Sequence, residues 1–319
     1  MHTLVDPLKR ALQIRPQGLA LIDGDREVTY EELAHRCSSL VGALRHLGAE
    51  YGSRVAILAN NGFQYFEAYL GIPAGGMVVV PLNTRHAMPE LVYALKDSGA
   101  NILITDRTEL GELASAVEHV ISLTDRYERM LAEAEPAVLG EGLAETDLAG
   151  LFYTGGTTGA SKGVMLTHRN LIANALNWLA SVPQTENDRT LVMAPMFHAA
   201  GSNGILAAIW QGSLQVPLGT FDPAAVLDLI EKHRINITLG VPSMLAAMAE
   251  EQHAKPRDTS SLQVLTHGGS PIATEVIRRA SSAFPSAQMI EVYGATETSP
   301  LATLLGHEET LMDNVLARS

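Results

Sequence analysis

The sequence predicts an α/β fold: two parallel-sheet subdomains with helices on both faces, in αβαβα layers. Three observations predict it. From residue 54 onward, short runs of Val, Ile and Leu alternate with helical segments, the pattern of buried parallel strands joined by crossover helices. The alternation breaks in an acidic, weakly patterned stretch at 133–147 and then restarts, so two layers of sheet are expected rather than one. At 319 residues and 46% hydrophobic content the chain can bury a core large enough for more than one subdomain.

Residues 19–30 read as a hairpin, two apolar runs flanking Asp23-Gly24, a pair suited to a tight turn with positive φ. Thr29 then reads as a helix N-cap, with Glu32 completing a capping box and Val28 and Leu33 a hydrophobic staple. Leu33, Cys37, Leu40, Leu44 and Leu47 recur at helical spacing and mark a buried face. Cys37 on that face reads as a small core side chain. Strands are expected at 55–58, 77–82, 102–105, 120–123 and 149–153, with helices at 63–70, 90–96 and near 110–118. In the second series, helices are expected at 170–179, 202–210, 243–250 and 273–283. Another opens with Asp222 as cap and Pro223 at the first turn, with Val226, Leu229 and Ile230 on its apolar face. Strands are expected at 190–194, 214–217, 236–240, 262–266 and 289–293. No short repeat suggests a solenoid.

The net charge of −13 argues against a nucleic-acid backbone as the main partner. A single cysteine excludes an intrachain disulfide and suits a reducing cytoplasm. Residues 1–17 lack the apolar core of a signal peptide, and no run approaches a membrane span.

Residues 151–164, LFYTGGTTGASKGV, organise the functional reading. An apolar strand breaks into Thr154, Gly155, Gly156, Thr157, Thr158, Gly159, Ala160 and Ser161 and ends at Lys162-Gly163. Glycines let amide groups converge without Cβ clashes, and a concave set of amides binds anions. Hydroxyls and the Lys162 ammonium add donors, and a helix starting near Thr167 is expected to aim its positive end in the same general direction. That composition asks for a polyphosphate. The Walker A pattern fails, because Lys162 is preceded by Ser161 and followed by Gly163. Gly159-Ala160-Ser161-Lys162-Gly163 matches the hydrolase elbow G-x-S-x-G, yet six residues separate Ser161 from the strand, where the elbow needs none.

Two further stretches lie at expected strand ends, where open α/β sheets bind ligands. In Tyr293-Gly294-Ala295-Thr296-Glu297, the phenol ring can stack on a planar base, Thr296 can donate to phosphate and Glu297 can hold a hard cation. Pro195-Met196-Phe197-His198 precedes a run of small residues, Ala199, Ala200, Gly201, Ser202 and Gly204, which leaves space for an apolar pocket. His307-Glu308-Glu309 lacks the second histidine of a zinc motif and reads as solvated surface.

The glycine-threonine stretch resembles the phosphate loop of the adenylate-forming superfamily, which includes acyl-CoA synthetases, aryl-CoA ligases, luciferases and peptide-synthetase adenylation domains. Gly155 stands for the usual serine and Ser161 for the usual proline. Residues 293–297 match the family's Y-G-x-T-E motif, 195–198 its P-x-F-H motif, and 265–271, with Gly268, Gly269 and Ser270, its small-residue turn. The resemblance implies that Thr154, Gly155, Gly156, Thr157, Thr158, Gly159 and Lys162 hold the ATP phosphates, with Tyr293, Gly294 and Gly268–Ser270 at adenine. It implies Mg²⁺ at Glu297 and Thr154, and the acid against His198, Ala199, Gly201, Ser202, Gly268 and Gly294. Lys162, His198, Thr296 and Glu297 are the catalytic candidates. The expected function is ATP-dependent activation of a carboxylic acid, a medium or long fatty acid or a bulky aryl acid, to acyl-AMP and then acyl-CoA. Alternatives are a luciferase-like or peptide-synthetase-type domain, a non-catalytic nucleotide-binding protein, and a serine hydrolase using Ser161. Ser202 replaces the tryptophan gate of some long-chain enzymes. The expected subdomains are 51–187, and 1–50 with 188–319. The family pattern continues beyond residue 319 into the rest of a distorted β-barrel and a lid domain. The expectation is therefore a truncated chain, weakly active or inactive alone, monomeric or homodimeric.

Overall fold

The computed structural model describes residues 2–155, 161–307 and 310, without the side chains of residues 202 and 203. The chain opens with α1 (Val5–Ile14), β1 (Leu19–Asp23), β2 (Arg26–Thr29) and α2 (Tyr30–His46). β1 and β2 form the expected antiparallel hairpin, with Gly24 at φ 62° in its turn. The Thr29 hydroxyl accepts the Glu32 amide at 3.1 Å, which caps α2. The reciprocal half of the box is not made: the Glu32 carboxylate is taken by Arg26 at 3.2 Å. Leu33, Cys37, Leu40 and Leu44 are fully buried on one face of α2.

A first series follows: β3 (Arg54–Leu58), α3 (Phe63–Ala74), β4 (Val78–Pro81), α4 (Met88–Ser98), β5 (Ile102–Thr105), α5 (Leu113–Ala116), β6 (His119–Ser122), α6 (Tyr127–Glu133), β7 (Leu148–Thr154) and β8 (Lys162–Thr167). The second comprises α7 (His168–Ser181), β9 (Arg189–Val192), α8 (Ala199–Gln211), β10 (Leu214–Pro217), α9 (Pro223–His233), β11 (Ile237–Gly240), α10 (Pro242–Ala254), β12 (Val264–Gly268), α11 (Thr274–Ala283), β13 (Gln288–Gly294) and β14 (Leu301–Leu305). Asp222 caps α9 through the Ala225 amide at 2.9 Å. α5 is shorter than expected, and α1, α6, β8 and β14 are additions to the sequence reading.

The first series makes a six-stranded sheet in the order β6-β5-β3-β4-β7-β8. The second makes an eight-stranded sheet, β14-β13-β12-β11-β9-β10-β1-β2. Their centres are parallel, as expected, but both sheets are mixed. β7–β8 ends the first antiparallel, and β13–β14 and β1–β2 end the second. The edge strands follow from local turns, which a scan for strand–helix alternation does not register. Among the described residues no barrel closes. The main apolar core lies between α2, α3, α7, α8 and the parallel strands, with a second core under α9, α10 and α11. No helix among the described residues is long and apolar enough to cross a membrane. His307 is engaged rather than merely solvated: its Nδ1 accepts the Met289 amide at 2.9 Å, steadying the start of β13. Glu308 and Glu309 lie outside the described residues.

Candidate functional site

The glycine-threonine stretch connects β7 to β8, which pair antiparallel. Thr154 pairs with Lys162 at the mouth of this hairpin, and the Ser161 hydroxyl donates to the Thr154 carbonyl. Ser161 is thereby committed to the mouth of the hairpin, immediately before a strand rather than on a strand-to-helix elbow, which removes the basis for a serine nucleophile. Gly155 is open, with nothing within 4 Å of a Cβ placed on it. Lys162 is exposed. Gly156, Thr157, Thr158 and Gly159 lie outside the described residues. The helix expected to point at this loop does not do so. α7 begins at His168, after the six residues of β8, and its first turn is already capped by Thr167 and Asn170. The run 162–167 alternates poorly, and its strand character comes from pairing with β7.

The Tyr293–Thr298 segment comes to the same hairpin. β13 ends at Gly294, and a 3-10 turn at Thr296–Thr298 packs against β8. Asn174 of α7 fixes that turn: its Nδ2 donates to the carbonyls of Thr298 at 3.1 Å and Leu301 at 2.7 Å, and its Oδ1 accepts the Leu301 amide at 3.1 Å. The sequence reading missed Asn174. An amide on the buried face of α7 does not show locally what it bonds to. Glu297 is exposed and Thr296 half-buried. Neither Glu297 nor Lys162 has an ion-pair partner among the described residues. No cluster of three His, Cys, Asp or Glu suited to a metal occurs there either. A cation held at Glu297 would have that single carboxylate and would take its remaining oxygens from a hydroxyl, water and phosphate, the way Mg²⁺ is usually held.

Tyr293 is 71% exposed, an unusual state for a large aromatic ring beside a sheet. The backbone around it is tightly approached. A Cβ on Gly294 would lie 1.7 Å from the Pro300 carbonyl, and one on Gly268 2.1 Å from that of Val292. Gly269 has φ 82°, so the chain turns away sharply after β12. Gly269 and Ser270 are exposed beside this platform.

His198 stands at the N-cap position of α8, after the Pro195–His198 turn, and makes no side-chain capping bond. Its ring lies 4.5 Å from that of Phe197. Partial burial, then Arg85 and His86, hold its pKa below the usual imidazole value. Asn61, also missed, pins this turn: it donates to the carbonyls of Val192 at 3.2 Å and Ala194 at 3.0 Å and accepts the Met196 amide at 2.8 Å. Ala199 is buried, and a Cβ on Gly201 would crowd the Pro195 carbonyl at 3.0 Å. The side chain of Ser202 lies outside the described residues.

Behind the platform, the expected roomy pocket is two small lobes. The outer, about 70 Å³, opens at Gly269, Tyr293 and Gly294. The inner, about 30 Å³, runs beside Gly201, Leu239 and Thr266 to Gln184 and Thr190. They share walls of Trp178, Ala200, Gly204 and Leu239.

A family model described as AMP-binding enzyme matches residues 8–316. The chain belongs to the AMP-binding enzyme family. This family member is 36% identical over 295 residues to a feruloyl-CoA synthase of Amycolatopsis sp, covering 92% of this chain and 59% of the relative. It is 32% identical to a long-chain-fatty-acid–CoA ligase of Thermus thermophilus, covering 89% of this chain and 55% of that one. The N-terminal domain of FACL13 from Mycobacterium tuberculosis superposes with a TM-score of 0.91 at 26% identity, over 98% of this chain and 80% of that one. The chain thus spans little more than half the length of these two curated relatives.

Proposed function

We propose that this AMP-binding family member activates a carboxylic acid with ATP, giving an acyl-adenylate and pyrophosphate, and that the complete protein passes the acyl group to the thiol of CoA. The observation that carries this reading is the exposed Tyr293 ring on a glycine-lined platform, with the β7–β8 hairpin alongside and its Lys162 without an ion-pair partner among the described residues. Adenine would stack on Tyr293. The hairpin tip, Thr154 to Lys162, would hold the phosphates, with Thr296 donating to the α-phosphate.

In the first step the acid's carboxylate oxygen bonds to the α-phosphorus while the bond to pyrophosphate breaks. Lys162 and the tip amides balance the charge that moves onto the leaving pyrophosphate. Mg²⁺ at Glu297 and Thr154 supplies further neutralisation of the phosphates when bound. Neutral His198 lies at the β9–α8 turn to orient the acid without adding a charge of its own. In the second step the thiol sulfur bonds to the acyl carbon and AMP departs.

The names of the relatives cover fatty and aryl acids alike. The bounded lobes support a compact acid over a long unbranched chain. Sheet membership supports a division into residues 51–187, and 1–50 with 188–319.

The test is equilibrium binding of ATP with and without Mg²⁺. Wild-type chain binds Mg²⁺-ATP; Lys162→Met and Glu297→Gln each weaken binding about tenfold or more, with thermal stability retained because both side chains are exposed. Binding that ignores both substitutions, or no binding at all, defeats the proposal.

A further inference from the structure

The inner lobe has a polar end within an apolar wall. Gln184 is 5% exposed, Thr190 7% and Trp178 3%. Both amide atoms of Gln184, the Thr190 hydroxyl and the Trp178 indole nitrogen are buried without a hydrogen-bond partner. All three residues line the lobe. Buried polar atoms are nearly always paired, so several orphans facing one small cavity ask what pairs them. Their neighbours show the contrast. Thr238 and Thr266 line the same lobe, yet their hydroxyls donate to the carbonyls of Leu191 at 2.9 Å and Thr238 at 3.2 Å. Gln215, in register with Thr190 on the adjacent strand, extends the same face with two more unpartnered buried atoms.

We infer that Gln184, Thr190 and Trp178 form a specificity-determining recess for a neutral oxygen substituent, a hydroxyl or alkoxy group, on the far end of an aromatic acid. The inference rests on the proposed acid activation and names the substrate class of that same site. The outer lobe at Gly294 takes the carboxyl side of the acid, and the aromatic body passes between Trp178 and the small residues Ala200 and Gly204. The distal oxygen then meets an amide that donates and accepts, a hydroxyl that does both, and an indole that donates. The described lining carries no charged side chain, so a second carboxylate or an ammonium there would be desolvated without a counterion. A saturated chain would fill the space and leave the polar atoms orphaned. Sites built to bond a hydroxyl discriminate strongly against analogues lacking it.

The experiment measures binding of three non-hydrolysable acyl-sulfamoyl adenosines to the 319-residue chain by calorimetry: 4-hydroxycinnamoyl, cinnamoyl and hexadecanoyl. The expected order is hydroxylated, unsubstituted, long-chain, with about a tenfold preference for the first over the second. Gln184→Leu and Thr190→Val each bring that ratio towards one; the second keeps the shape of threonine, so it guards against a folding defect in the first. Equal binding of the two cinnamoyl compounds, or tightest binding of the hexadecanoyl one, overturns the inference and leaves acid activation standing. So does a ratio untouched by both substitutions while both lower the melting temperature, since the polar atoms then serve a buried structural water. Failure of all three to bind removes the adenylate site and the inference together.

Discussion

His168 and His267 are completely buried imidazoles with little to bond to. His168 accepts the Leu4 amide on Nδ1 at 3.1 Å and leaves Nε2 unpaired, and neither nitrogen of His267 has a partner. Burial lowers the pKa of each to about 4. The unfolded chain titrates near 6.5, so between about pH 6.5 and 4 it binds protons that the folded chain refuses. Stability is therefore full above about pH 6.5 and falls as pH drops through that window. The loss between pH 7.5 and 5 should be on the order of 2 kcal/mol for each of the two, with His198 and His233 shifted in the same direction. Urea denaturation at the two pH values measures it. His168→Asn, which can still accept the Leu4 amide, should reduce the difference by roughly half the share of the pair. An unchanged difference would mean that His168 is hydrated or protonated in the fold.

At the scale of elements, the site depends on a hairpin and on a helix that braces its neighbour. The parallel strands were legible because continuous Val/Ile/Leu runs such as 102–105 have one reading in a sheet covered on both faces. The motif residues near 154, 198 and 297 were legible because each follows such a strand. β8 was not: Lys162, Gly163 and exposed Met165 lack an apolar pattern, and the strand exists because β7 offers it an edge. Its presence moves the start of α7 six residues away from Lys162, so the proposed phosphate site would have to do without a helix terminus. Asn174 and Asn61 were invisible for a related reason. Each bonds to backbone more than a hundred residues away, and nothing local marks that. Asn174→Ala should cost about 1–3 kcal/mol by leaving the Thr298 and Leu301 carbonyls unpaired, and it should weaken Mg²⁺-ATP binding. Full affinity in a destabilised Asn174→Ala protein would separate α7 from the nucleotide site.

For the whole molecule, the N-terminal segment is a structural part of the second sheet. α1 packs against α8, where Arg10 donates to the Trp210 carbonyl at 2.6 Å, and β1 pairs with β10. Leu8 is 2% exposed in that contact. Leu8→Ala should lower stability by about 2–5 kcal/mol, and unfolding should remain one transition by tryptophan fluorescence and circular dichroism alike. Two resolved steps would show that the sheets melt independently. The same pairing has a consequence during synthesis. β1 can join β2 on one side as soon as that strand follows it out of the ribosome, but its other side stays bare until β10, about two hundred residues later, is translated. At about 5–20 residues per second, that bare side waits roughly 10–40 s, an interval in which a nascent chain is open to chaperones and to strands of neighbouring polysomal copies.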